Sequence, residues 1–121
     1  MGLSEYFESV EGLGVLATSD SEGNVDAAIY ARPHFMEGGE AAFIMAERLS
    51  YSNVQSNPKA VYMFVEIGGG YKGKRLYLSK TGESDDAKLI ESLRRKRKLK
   101  GSKKSHLVYF RVDKERPLVG G

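Results

Sequence analysis

The stretch Ala41–Pro58, AAFIMAERLSYSNVQSNP, constrains this chain more than any other. Ala41, Ala42, Phe43, Ile44 and Met45 form a nearly continuous apolar run after the Glu37-Gly38-Gly39-Glu40 turn, which is the pattern of a strand. The sequence becomes polar at Glu47 and Arg48 and then offers two N-cap candidates, Ser50 and Ser52. A short helix is expected to follow and to stop at Asn57-Pro58, because a residue preceding proline is pushed out of the α region. Such a strand-to-helix junction suits an anion. Free N–H groups and the positive end of the helix dipole point outward there, and Arg48 and Ser50 add charge and donors. The same residues also fit an ordinary capped helix with a surface arginine, so the stretch alone admits two readings.

The remainder of the chain reads as short strands joined by turns. Leu3, Tyr6, Phe7 and Val10 recur at helical spacing and predict a short amphipathic helix. Gly14–Ser19 reads as a first strand and Asp20-Ser21-Glu22-Gly23-Asn24 as a hairpin turn. The second strand runs from Val25 to about Met36, with Val25, Ala27, Ile29 and Ala31 on one face and Asp26, Ala28, Tyr30 and Arg32 on the other. Pro33 cannot donate to a ladder, so this strand is at an edge or bulged from there on. After the third strand, at Ala41–Met45, Val61–Ile67 and Arg75–Ser79 make a long hairpin around the Gly68–Lys74 loop. A helix begins near Ser84, with Asp85 and Asp86 in its first turn and Leu89, Ile90 and Leu93 on one face. Gly101 is expected to stop it, and His106–Val112 is the last strand. The expectation is one mainly β (α+β) domain over residues 1–121. Short strands in hairpins, with short helices only at the N-terminus, after the third strand and before the last, favour an antiparallel barrel or sandwich.

Composition limits the functions. With 121 residues, 40% apolar and 29% charged, the chain suits one globular core. It has no cysteine, which removes thiolate and disulfide chemistry. No apolar stretch is long enough to span a bilayer and the N-terminus lacks a signal-peptide pattern, so a cytoplasmic location without membrane attachment is expected. The formal net charge of +3 conceals an asymmetry: residues 94–104, RRKRKLKGSKK, carry eight basic and no acidic side chains, and without them the charge is −5. That run allows a polyanion- or nucleic-acid-binding module, but it lacks the interleaved aromatics of a stacking surface and fits a solvated helix end, which argues against nucleic acid. Its charges are expected to extend away from the Leu89–Leu93 face and to be dispensable for binding a cofactor.

Catalytic machinery is sparse. His34 and His106 lack ligand spacing, no serine sits in a nucleophile elbow, and no acidic pair suggests a glycosidase or a two-metal site. No metal is expected. The Gly68–Gly70 run joins two strands and matches neither a P-loop nor a dinucleotide fingerprint. Such a chain borrows its chemistry from a cofactor or performs none.

Three segments carry a resemblance: GVLATSDSEGNVDAAIYARPHFM, AAFIMAERLSYSNVQSNPKAVYMFVE and YKGKRLYLSKTGE, spanning about Gly14–Glu83. In order and spacing this arrangement resembles the FMN-binding split β-barrel proteins related to pyridoxamine 5′-phosphate oxidase. The resemblance implies a six-stranded antiparallel split β-barrel of Greek-key type, and a homodimer with FMN at two sites between subunits. It places Tyr30, Ala31, Arg32 and Pro33 along the flavin ring, and Ala46, Glu47, Arg48, Ser50 and Asn53 at the ribityl phosphate. The opposite subunit would contribute the hairpin loop with Tyr71, Lys72 and Lys74. Two departures bear on function. Where many members carry a lysine early in the phosphate-binding helix, this sequence has Ser50, so charge must come from Arg48, Arg32, Lys72 or Lys74. True pyridoxamine phosphate oxidases also close with a C-terminal substrate-binding segment that is not seen here, so that activity is not expected. The implied function is a small FMN-dependent oxidoreductase, of flavin- or quinone-reductase type, with unassigned catalytic residues and redox substrate; deazaflavin or haem in the same groove are the variants. A dimer also offers a use for the many large aromatics, Tyr62, Phe64, Tyr77, Tyr109 and Phe110, some of which could cover a twofold interface.

Overall fold

The computed structural model describes residues 2–95 and 104–120. In chain order the elements are α1 (Leu3–Ser9), β1 (Gly12–Ser19), β2 (Val25–Ile29), β3 (His34–Phe35), β4 (Ala41–Ala46), α2 (Leu49–Ser56), β5 (Lys59–Glu66), β6 (Gly73–Ser84), α3 (Ala87–Leu93) and β7 (Ser105–Arg116). All strand pairings are antiparallel, in one sheet ordered β2-β1-β5-β6-β7-β4-β3. Among the described residues no helix is long and apolar enough to cross a membrane.

The expected six strands are therefore seven, in an open sheet rather than a closed barrel. The difference arises at one place. The strand expected from Val25 to Met36 divides into β2 and β3, and the two pieces lie at opposite edges of the sheet. The ladder with β1 ends as the Tyr30 amide donates to the Gly14 carbonyl at 3.0 Å. Pro33, with no N–H to offer, stands just before β3 joins β4. Four residues, Tyr30–Pro33, thus link the two edges. So short a connector reaches only about 17 Å, so the sheet must curl to bring its edges near one another.

Local chemistry explains the elements. Asp20 accepts from the amides of Glu22 and Asn24, each at 2.9 Å, and Gly23 adopts φ 86°, which closes the β1–β2 hairpin. Asp86 caps α3 by accepting from the Lys88 and Leu89 amides. Alternate residues of β1, β5 and β6 point inward, giving a core of Leu16, Tyr62, Phe64, Leu76 and Leu78 with Phe43 and Phe110. Phe7 of α1 contacts both Phe64 and Phe35, at centroid distances of 5.2 and 5.9 Å, so the helix covers one opening of the curled sheet. β4 is apolar throughout because both its faces are covered: Ala41, Phe43 and Met45 face the main core, while Ala42 packs with Ile90 and Leu107 beneath α3.

Of the five large aromatics, Tyr77 and Tyr109 are half-buried. Tyr62, Phe64 and Phe110 are fully buried within one chain. Three of the exposed apolar side chains, Val25, Ile29 and Leu13, are 83, 72 and 51% exposed. They belong to β2 and β1, where Val15 pairs with Ile29 and Ser19 with Val25.

Candidate functional site

The β4–α2 junction is built as a donor-rich corner. Arg48 occupies the N-cap position in extended conformation, and α2 begins at Leu49, before either serine expected to cap it. Ser50 lies in the first turn, 4% exposed, close enough to the Tyr30 phenol to act on its ionisation. The Arg48 side chain provides no cap, so the first-turn amides lack a side-chain acceptor from the N-cap. Arg48, Ser50, Ala46, Ile44, Tyr30 and Ala31 line a hollow of about 410 Å³, with the Asp26 carboxylate also on its wall. Arg48 forms no ion pair among the described residues. Burial raises the Tyr30 phenol above its usual pKa, against the opposing effects of the Ser50 hydrogen bond and the Arg48 charge, so the phenol is a neutral donor at physiological pH. A guanidinium without an ion pair among the described residues, a phenol and helix amides without a side-chain cap are a donor set for an anion attached to an apolar body, with Asp26 the one acidic side chain of the lining.

The other expected site residues divide. Ala46 and Ala31 line this hollow. Pro33 is fully buried and shapes the connector. Arg32 turns toward α1, where its Nη1 donates to the carbonyls of Phe7 at 2.8 Å and Val10 at 2.7 Å. Asn53 is 4% exposed and donates to Thr18 Oγ1 at 3.0 Å, which ties α2 to β1. In the β5–β6 turn Tyr71 is 80% exposed with φ 53°, and Lys74 Nζ contacts Glu115 at 3.1 Å and stands 4.8 Å above the Tyr6 ring. Tyr71, Lys72 and Lys74 line neither this hollow nor the one next described.

A second hollow, of about 470 Å³, shares Ile29, Tyr30, Ala31 and Ile44 with the first and is flanked by Arg32, Arg94 and Arg95. The beginning of the basic segment therefore does not extend away as expected. Arg94 follows the last turn of α3 and its side chain is only 16% exposed, paired with Glu91 at 3.0 Å. Arg95 donates to the carbonyls of Arg32 and Pro33. Gly101 and the rest of the run from 96 to 103 lie outside the described residues.

Sequence reading missed a cluster around Glu47. His106, 5% exposed, meets Glu47 at 2.6 Å through Nε2, while its Nδ1 faces Asp85 in contact and Glu83 at 3.5 Å. Tyr51 stacks on the imidazole and donates to Glu83 at 2.6 Å. Burial lowers the histidine pKa, but the hydrogen bonds and charges of Glu47 and Asp85 override it and leave the pKa raised. Glu83, Asp85 and His106 could together offer three metal-ligand atoms within 4.8 Å. Both Glu83 oxygens are already occupied, however, by Tyr51, Gln55 and Lys80, which favours an imidazolium among carboxylates. The only local signal was the Glu83–Asp86 acid cluster; His106 joins it because β7 pairs with β4, placing His106 opposite Met45.

No family model and no curated protein matches the chain. Its fold matches solved structures over nearly its full length. An FMN-binding protein from Syntrophomonas wolfei is 16% identical with a TM-score of 0.74, covering 98% of this chain and 85% of that one. A putative pyridoxamine 5′-phosphate oxidase from Lactobacillus delbrueckii is 14% identical with a TM-score of 0.68, covering 94% and 89%. An F420 reductase is 16% identical with a TM-score of 0.68, covering 93% and 95%. The chain thus has the fold of the FMN-binding proteins related to pyridoxamine 5′-phosphate oxidase.

Proposed function

We propose that the protein is an FMN-binding flavoprotein, a small oxidoreductase that holds one flavin at the corner between β4, α2 and the Tyr30–Pro33 connector. The observation that carries this reading is Arg48: a guanidinium without an ion pair among the described residues, at the head of α2, in a hollow walled by Tyr30 and Ile44. A phosphate there would meet Arg48, Ser50 and the first amides of α2, while a flat ring would lie along Tyr30 and Ala31. When bound, the isoalloxazine supplies the electron transfer. The chain's own contribution is to orient and to shield. Arg48 fixes the anionic end, the protonated Tyr30 phenol can donate a hydrogen bond, and Ile44 keeps water from the inner wall.

The site works best as half of a dimer. Exposed Leu13 and Ile29 lie at the second hollow, with exposed Val25 at the other end of β2, and a second copy seated along this edge would complete the enclosure of the ring. The resemblance to a fold that includes an F420 reductase supports a deazaflavin as the second reading. Heat release of any bound chromophore, followed by chromatography, tests both. FMN is the expected product. A colourless protein whose apo form binds neither FMN nor F420 would overturn the flavoprotein reading.

A further inference from the structure

The second hollow carries charge that its described surroundings do not neutralise. Arg94 is matched by Glu91, but Arg32 and Arg95 form no ion pair among the described residues. Their bonds go to main-chain carbonyls, of Phe7 and Val10 for Arg32 and of Arg32 and Pro33 for Arg95. Carbonyls satisfy donors without cancelling charge, so two positive groups remain side by side. Burial and the Arg32 charge lower the Arg95 pKa, in keeping with that closeness, though a guanidinium stays charged at any working pH. His34, on the same wall, has a pKa lowered by burial and by Arg95, so it is neutral at pH 7 and adds no cation. Glu8, exposed on α1, is the acidic group whose charge acts on Arg95 and His34, and it forms an ion pair with neither. Apart from Tyr30, the rest of the lining is apolar or backbone, with Leu13, Ile29 and Phe43 around Gly12 and Gly14.

We propose that this hollow is an anion-binding subsite for a small organic anion, a carboxylate or phosphate ester with an apolar body, whose charge meets Arg95 and Arg32 and whose body lies on Leu13, Ile29 and Phe43. Ile29–Ala31 and Ile44 separate it from the Arg48 hollow, so a ligand there would sit beside the proposed flavin. Its role as the substrate subsite rests on the flavoprotein reading; its ligand class rests on this hollow alone. Paired guanidiniums favour a planar or tetrahedral oxyanion, and the apolar floor selects against a bare inorganic ion.

Benzoate and benzamide, which share a ring and differ in charge, separate the terms. In backbone amide NMR titrations of the full flavin-free chain, benzoate is expected to shift Gly14, Tyr30 and Phe43 saturably, and benzamide at least tenfold more weakly. Arg95→Gln should weaken benzoate about tenfold, leave benzamide unchanged, and be largely rescued by Arg95→Lys. Equal response to the two probes, or no response, overturns the subsite without needing any variant. Shifts centred on Arg48 and Ser50 overturn it as well, since the anion then uses the other hollow. An unchanged benzoate affinity in a folded Arg95→Gln overturns the role of Arg95. Because no flavin is present, benzoate binding in a protein that refuses FMN would sink the flavoprotein reading alone.

Discussion

Tyr51 lies flat on His106, with ring centroids 4.4 Å apart and planes within 8° of parallel. The stack joins the first turn of α2 to the start of β7, and Glu47, one residue before the N-cap, holds the imidazole from its other side. The residues that position Arg48 are therefore anchored by a buried histidine 59 residues further along the chain.

That anchor gives stability a pH dependence. The folded His106 pKa is raised above its ordinary value of 6.5, so its contribution is fully present below about pH 6.5 and is lost as the pH rises through the folded value. His34 has the opposite sign, since its pKa is lowered, and its contribution is lost in acid. Urea unfolding at a series of pH values from 6 to 9 should show a falling midpoint in the wild type and a much flatter profile in His106→Gln. At pH 6 the variant should be less stable by about 2 kcal/mol. A parallel fall in both proteins would exclude His106 as the source.

Gly14 is a contact point rather than a hinge. A Cβ there would stand 1.8 Å from the Tyr62 hydroxyl and 2.5 Å from the Tyr30 carbonyl, which are themselves bonded at 3.0 Å. Gly14→Ala should cost about 3 kcal/mol and Tyr62→Phe about 1 kcal/mol in thermal or urea unfolding. The double variant should cost somewhat less than their sum, because the nearest contact is removed, while the Tyr62 ring carbon at 2.4 Å and the Tyr30 carbonyl at 2.5 Å still crowd the methyl. Strict additivity would place the strain of Gly14→Ala elsewhere.

Arg48 and Asn53 were both expected at the cofactor phosphate, and the structure gives them different surroundings. Arg48→Ala should weaken FMN about tenfold or more and leave riboflavin, which lacks the phosphate, nearly unchanged. Asn53→Ala, which loses the buried bond to Thr18, should cost about 1–2 kcal/mol of stability while changing the affinity of neither flavin. Fluorescence-quenching titrations of the apoprotein at fixed salt, with unfolding curves alongside, read both. Equal losses for FMN and riboflavin in Arg48→Ala would assign Arg48 to the ring or the fold.

For the proposed dimer, the surface to alter is β2. Val25 is 83% exposed and lies outside both hollows beside the connector, so Val25→Asp should lower the mass seen by light scattering from twice 13.4 kDa toward the single-chain value while keeping the circular dichroism spectrum. A wild-type chain that is monomeric at micromolar concentration with flavin bound would dispose of the dimer.

What the sequence disclosed was mostly what is local. The β4–α2–β5 succession was legible because a both-sides-buried strand is apolar throughout and Asn57-Pro58 ends a helix by sterics alone. The β1–β2 and β5–β6 hairpins were legible from Asp20, Gly23 and the glycines after Ile67. The passage from β2 to β3 was not, because alternation continues through Tyr30 and Arg32 while their partners change from β1 to α1. Arg32 reaches carbonyls 25 and 22 residues away, and His106 finds Glu47 through the pairing of β7 with β4. Such contacts follow from register across the whole sheet, which no window of sequence contains. Arg95 misled for a related reason. Basic residues at a helix end ordinarily seek water, but here the carbonyls of the connector lie within reach.

The connector itself has a mechanical meaning. A sheet margin held by a ladder can fray one hydrogen bond at a time, from its end inward. Here the two margins are tethered by peptide, and Arg32 and Arg95 fasten that tether to the end of α1 and to the residues after α3. Parting the margins therefore means releasing both helical ends together, and any molecule resting against Tyr30 and Ala31 adds its own binding energy to the seam.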